Sequence, residues 1–106
     1  MNTELWRILV PTEYQDTKKP VRKRHHRVWD RFVRNLSGGL TILYPAKGQW
    51  LEPKSGELIE ERMIPVEIVC SEVQIRKIMD FTIKHYRQLA VLAYRISDKV
   101  ILLESK

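Results

Sequence analysis

Residues 18–36 read KKPVRKRHHRVWDRFVRNL, a stretch that begins as a basic run and ends as an amphipathic helix. From about residue 23, apolar side chains recur at helical spacing and share one arc, whereas arginines occupy the opposite arc. Ser37, Gly38 and Gly39 then predict the end of the helix, because glycine readily takes the left-handed conformation found past a helix end. The apolar arc, which we expect to face the core, consists of Val28, Trp29, Phe32, Val33 and Leu36.

Apolar runs on both sides of this helix predict strands. Residues 5–10 are apolar on both faces, as in a strand that is covered on two sides. Residues 58–70 alternate with period two, and Pro65 within them indicates a sheet edge or a bulge. The predicted strands cover residues 5–10, 40–44 (resumed at 49–51), 58–70, 89–96 and, as a short last strand, 100–103.

A second helix is predicted from Ser71 to about Arg87. Ser71 and Gln74 match the capping box, in which each side chain satisfies a backbone donor at the helix start. The order of elements is βαββαβ. We therefore predict an α+β fold, a ferredoxin-like plait in which a four-stranded antiparallel sheet carries two helices on one face, plus the short C-terminal strand. It forms a single domain over residues 1–106, with residues 12–22 as a basic mobile loop.

The composition fits one small domain, since 106 residues with 43% hydrophobic content supply one core. No apolar run is long enough to span a bilayer, and the N-terminus lacks the pattern of a signal peptide. We expect no membrane partner. Cys70 is the only cysteine, so the simplest expectation is a reducing, cytoplasmic environment.

The chain contains more large apolar residues than one layer of helices can cover. The residues in question are Trp6, Trp50, Val91 and Leu92. A sheet face rich in such residues usually becomes an interface, so we expect a homo-oligomer, either a dimer or a trimer.

The basic charge is concentrated in one element. Residues 18–36 hold eight basic residues against Asp30 alone, whereas the whole chain has a net charge of +6, so the remainder is nearly neutral. These residues predict a site for an anionic ligand or for nucleic acid, with a solvated helix face as the alternative. The predicted site consists of Lys18, Lys19, Arg22, Lys23, Arg24, Arg27, Arg31 and Arg34.

The connection from residue 45 to residue 57 is long for a hairpin, and long ordered loops are often functional. Its candidate site residues are Lys47, Trp50 and Lys54. The alternative is a hairpin that is merely extended by a strand around Trp50.

The remaining chemistry-bearing residues give no recognisable constellation. His25 and His26 are adjacent and are therefore poor joint ligands, so we predict no metal site, no cofactor and no catalytic residue. Cys70 precedes a helix N-terminus, which could activate a thiolate, but the alternation around it indicates a buried structural cysteine. An enzyme would have His25, His26, His85 and Cys70 as its candidates.

Two resemblances accompany this pattern. The βαββαβ order with a long connection resembles the PII-like regulatory trimers, which implies small anionic ligands between subunits but carries over no residue. The spacings Trp29-x-x-Phe32, Gly39-x-Thr41 and Gly48-x-Trp50, followed by Glu60 or Glu61, are similar to an uncharacterised family of small bacterial ferredoxin-like proteins. We therefore expect a non-enzymatic regulatory or binding module for an anionic ligand or a protein partner, with nucleic-acid binding and a small plait enzyme as alternatives.

Overall fold

The computed structural model describes residues 3–105, in which two helices cover one face of an antiparallel sheet. The elements are β1 (Glu4–Pro11), α1 (Lys23–Ser37), β2 (Thr41–Ile42), β3 (Ala46–Leu51), β4 (Leu58–Cys70), α2 (Glu72–Tyr86) and β5 (Ala93–Ser97). The sheet order is β2-β4-β1-β5, and β3 continues β2 along the same edge of β4. The prediction of a ferredoxin-like α+β fold is confirmed.

The sheet departs from the predicted strands within the second strand and at the C-terminal end of the chain. Residues 43–45 interrupt the second strand, and the pairing with β4 shifts there by one residue, from Ile42 opposite Val66 to Ala46 opposite Met63. Pro65 faces this interruption and lacks an N–H to donate, so it marks a bulge beside a central strand rather than a sheet edge. The predicted second strand is thus divided into β2 and β3, and for this reason the sheet has five strands.

The prediction of a last strand over residues 100–103 is wrong. The hydroxyl of Ser97 accepts from the N–H of Lys99 and donates to its carbonyl, which fixes a turn at the end of β5. Residues 100–105 form neither helix nor strand after this turn. The apolar side chains of Ile101, Leu102 and Leu103 are 79%, 81% and 91% exposed.

The core lies between the helices and the sheet. Even-numbered residues 6–10 of β1 and 64–70 of β4 face the helices. Helix α2 begins with the predicted capping box, in which Ser71 and Gln74 exchange hydrogen bonds. The core residues are Ile8, Val10, Trp29, Val33, Val66, Ile68, Cys70, Ile75, Ile78 and Tyr86. Trp29 Nε1 donates to Thr82 Oγ1 at 2.8 Å, which joins the two helices at their centres.

Three apolar residues lie elsewhere than predicted. Val28 is 44% exposed, because it falls at the border of the apolar arc rather than inside it. Trp6 and Val91 pack against the core on the helix side, so they do not contribute to the open sheet face. Trp50 and Leu92 are exposed, as expected for that face.

Candidate functional site

A basic cleft of about 500 Å³ lies where the loop after β1 meets the N-terminus of α1. We define the basic cleft by Lys19, Arg22, Arg24, Arg87, Tyr14 and His25, together with Thr17, Pro20 and Val28. The loop is closed by backbone hydrogen bonds, among them Val21 N to Thr12 O at 2.9 Å and Tyr14 N to Lys19 O at 2.9 Å. This pairing holds Tyr14 and Lys19 over the start of the helix.

The electrostatics of the basic cleft favour an anion. Four cationic side chains line it, and its described lining contains no carboxylate. The N-cap residue of α1, Arg22, makes no side-chain cap, and the first turn of α1 holds no acidic residue. The positive end of the helix dipole is therefore uncompensated by side chains of its own first turn.

The structure divides the eight predicted basic residues among four places. Lys19, Arg22 and Arg24 line the basic cleft, and Lys23 lines a shallower cavity beside it. Lys18 lines a separate small cavity. Arg27, Arg31 and Arg34 are exposed along α1 and form the outer arginine face. Within residues 3–105, none of the eight forms an ion pair.

Arg87 is the member of the basic cleft that the sequence did not indicate. It follows α2 in a left-handed conformation (φ 55°), and its guanidinium lies 4.4 Å from the ring centroid of Tyr14. The same guanidinium pairs with the carboxylate of Asp16, with 3.3 Å between Arg87 Nη2 and Asp16 Oδ1. Arg87 lies 60 positions beyond Arg27 in the sequence. It reaches the cleft only because the two helices run antiparallel, and no local sequence pattern reveals this packing.

A cluster of rings forms the floor of the basic cleft. The imidazoles of His25 and His85 stack at 3.6 Å with an interplanar angle of 6°. Each ring Nε2 contacts the backbone carbonyl of the other residue, at 2.7 and 2.8 Å. Since a carbonyl oxygen only accepts, both Nε2 atoms carry hydrogen, and any further proton must bind Nδ1.

His26 lies beside this pair and contacts the buried Tyr86. Its Nδ1 is 2.7 Å from the hydroxyl of Tyr86. Burial of Tyr86 raises the pKa of its phenol far above the usual range, so the hydroxyl remains protonated and donates to His26. Burial, followed by the nearby His25 and His85 rings, lowers the pKa of His26, and burial is also the main cause of the lowered pKa of His85.

These shifts predict that acid weakens the fold. The folded-state pKa values of His26 and His85 lie below the unfolded value of about 6.5, so below that pH the unfolded chain binds more protons. The free energy of unfolding should therefore be highest above about pH 6.5 and fall as pH decreases through it. Chemical denaturation across this range is the measurement. In the double variant His26→Asn, His85→Gln, asparagine supplies an acceptor for Tyr86 and glutamine supplies a donor for the His25 carbonyl, and the profile should flatten. An unchanged slope would contradict the assignment.

Cys70, one of the residues that an enzyme would have as its candidates, has a structural role. Cys70 is 1% exposed, and burial followed by the charge of Glu4 raises its pKa to about 11, so it is a buried structural cysteine, as its alternation indicates. Among residues 3–105, no group of three His, Cys, Asp or Glu side chains is placed to hold a metal ion. No helix in the same range is long and apolar enough to cross a bilayer.

The three loop candidates lie along the β3–β4 hairpin and do not converge. Lys47 pairs with Glu60 at 3.7 Å, and the backbone N–H of Lys54 donates to the carboxylate of Glu52 in the turn. Trp50 covers Gly48 so closely that a Cβ there would lie 3.0 Å from the Trp50 ring. The Gly48-x-Trp50 spacing therefore has a packing reason.

A second concave region lies at the base of this hairpin. Cavities of about 130 and 380 Å³ adjoin there, and Glu13, Glu60 and Glu61 line both. Glu60 is held by Lys47 and by Gln49 at 2.7 Å, whereas Glu61 makes no side-chain hydrogen bond within the described chain. Gln88 Oε1 in the smaller cavity is buried and has no partner among residues 3–105.

Comparison with known proteins gives similarity of structure but not of sequence. No protein-family model and no curated protein matches the chain. CutA from Xylella fastidiosa superposes with a TM-score of 0.68 at 13% identity, covering 96% of this chain and 88% of its own. The periplasmic divalent cation tolerance protein CutA from Archaeoglobus fulgidus gives 0.67 at 10% identity, with coverage of 94% and 87%.

A phage SAM lyase in complex with S-methyl-5'-thioadenosine is also similar. Its TM-score is 0.63 at 16% identity, and the alignment covers 91% of this chain and 90% of the lyase. At such low identities the likeness concerns the fold alone. The chain therefore shares the ferredoxin-like fold of the CutA proteins and of this lyase.

Proposed function

We propose that the protein is a small oligomeric binding module that holds an anionic ligand in the basic cleft. The single observation that supports this is the composition of the cleft, in which four cations converge and the described lining contains no carboxylate. Like charges held together cost free energy unless an anion neutralises them. Lys19, Arg22 and Arg24 form no ion pair within residues 3–105, so the cost of keeping them around one cleft is recovered when a ligand binds.

Sulfate is the probe for this proposal, because it keeps two negative charges throughout the neutral range. We expect calorimetric titration at low ionic strength to show binding that weakens as chloride salt is added. The double variant Arg22→Gln, Arg24→Gln should weaken binding roughly tenfold or more, since each lost contact with an anion is worth on the order of 1 kcal/mol at a wet site.

The outer arginine face supplies a matched control on the same helix. Arg31→Gln, Arg34→Gln removes the same net charge but leaves the basic cleft intact, so sulfate binding should change by less than about twofold if the contact is local. Equal loss in both double variants would show a general charge effect and would contradict a cleft site. A short DNA duplex in the same titration tests the nucleic-acid alternative, which requires that Arg27, Arg31 and Arg34 dominate binding.

The oligomeric part of the proposal rests on exposed apolar side chains. Val69 and Tyr94 are 40% and 37% exposed on strands, and Leu92, just before β5, is 59% exposed. Ile101 to Leu103 extend beyond β5 without a partner in the described chain. Such continuous apolar exposure is characteristic of an interface. We propose that copies of the chain associate through the open sheet face and this C-terminal segment, and that the single buried cysteine serves in a reducing cytoplasm.

A second candidate function is a lyase-type enzyme, because the phage SAM lyase shares this fold and the concave region at the hairpin base holds the unengaged carboxylate of Glu61. Glu61, the unengaged carboxylate at the hairpin base, would be its general base or charge partner. Incubation with SAM should then release S-methyl-5'-thioadenosine, and Glu61→Gln should abolish the release while Glu60→Gln retains it. An absence of product from the wild-type protein would remove this candidate.

A further inference from the structure

His25 connects the basic cleft to the helix pair. The residue lines the cleft, and its ring stacks on that of His85. Both Nε2 atoms of the pair are engaged by carbonyls, so Nδ1 is the nitrogen of this cleft residue that remains to accept a proton. None of the cationic side chains of the cleft offers such an acceptor, because lysine and arginine are already protonated.

We infer that the basic cleft takes up one proton together with its anion, and that Nδ1 of His25 receives it. This inference rests on the proposed anion-binding function and adds its regulation by pH. In the empty cleft, a proton on His25 would join four cations and face the second imidazole at 3.6 Å. A bound divalent anion offsets two of these positive charges, so the protonated form of His25 becomes more favourable.

The surroundings of the stacked His25 and His85 rings allow the pair to bind one added proton but not two. Stacked imidazolium rings at this separation repel each other strongly, so the pair holds a single added charge. The charged and titratable groups that face the pair are Tyr14, Lys19 and Arg22 from the loop, Arg24, His26 and Asp30 from α1, and Tyr86 and Arg87 from the end of α2. Two carboxylates lie in these surroundings: Asp30, which acts on Tyr86, and Asp16 of the loop, which pairs with Arg87 at 3.3 Å.

Sulfate binding at two pH values tests the inference, since sulfate itself does not titrate between them. We expect the affinity to rise up to about tenfold from about pH 8 to about pH 6, which is an average uptake of about half a proton per sulfate over the two pH units. Calorimetry in two buffers of different ionisation enthalpy should show uptake of up to one proton per sulfate near pH 6. His25→Gln retains a donor for the His85 carbonyl but lacks Nδ1, so it should bind sulfate with little pH dependence.

His26→Asn is the matched control, because the neighbouring histidine bonds Tyr86 and does not line the basic cleft. It should retain the wild-type pH slope. Sulfate binding without proton uptake, or a full slope in His25→Gln, would overturn the inference and leave the anion site standing. Absence of sulfate binding at both pH values would overturn the proposed function and this inference together. The buffer comparison uses the wild-type protein, so the test stands even if a variant folds poorly.

Discussion

Trp29→Ala is expected to lower the free energy of unfolding by about 3–5 kcal/mol, a large part of the stability of a small domain. Trp29 is 1% exposed at the centre of the core, where it contacts both helices and the sheet layer. The substitution leaves a cavity that the surrounding side chains fill only in part. It also removes the donor to the buried hydroxyl of Thr82, which keeps only its bond to the carbonyl of Ile78.

Trp50→Ala is the control for the same chemical change. Trp50 is 41% exposed on the hairpin, so its replacement should cost about 1 kcal/mol or less in the isolated chain. Urea denaturation followed by circular dichroism measures both values. Equal losses in the two variants would mean that Trp29 does not organise the core.

Deletion of residues 98–106 should convert the oligomer into a monomer that is still folded. The deleted segment contains Ile101, Leu102 and Leu103, which contribute no described contact to the core of their own chain. Burial of each such side chain in a partner contributes about 1.5–3 kcal/mol, so association loses several kcal/mol. Size-exclusion chromatography with light scattering gives the mass, and denaturation shows whether the core is retained.

Deletion of residues 104–106 alone removes the polar end of the segment and should leave the mass of the assembly unchanged. A wild-type protein that is monomeric at every concentration would contradict self-association. An oligomer that survives the longer deletion would place the interface on the sheet face without the C-terminal segment.

The sequence predicts those features that depend on neighbours along the chain. The apolar run at residues 5–10 predicted β1, and period-two alternation predicted β4. The 3.6-residue arc predicted α1, and the pair Ser71 and Gln74 predicted the start of α2 within one residue. The break in the second strand was predicted at residues 45–48 but lies at residues 43–45, because its position depends on hydrogen bonds, such as Leu43 N to Pro65 O, whose partners a pattern of apolar residues does not specify. Residues 100–103 were predicted as a strand from their β propensity, but no neighbouring strand of the described chain pairs with them.

The site was predicted in part for the same reason. Lys19, Arg22 and Arg24 belong to one local basic run, so charge counting found them. The pairs His25–His85 and His26–Tyr86 are each separated by 60 residues, and only the antiparallel packing of α1 on α2 brings them together. A sequence shows that two helices are amphipathic, but it does not show their mutual register. The role of the histidines therefore appears only in the structure.

The central place of β4 has a consequence for the order in which the chain folds. Its pairing with β3 closes a short loop, whereas its pairing with β1 joins Glu4 to Cys70 across most of the chain. Closing the long loop costs more chain entropy before any contact compensates for it. We expect the hairpin to form within microseconds and the β1–β4 ladder to determine the overall rate, on the order of milliseconds or slower for such non-local topology. During that interval the exposed edge of β4 would be the region most open to pairing with another chain.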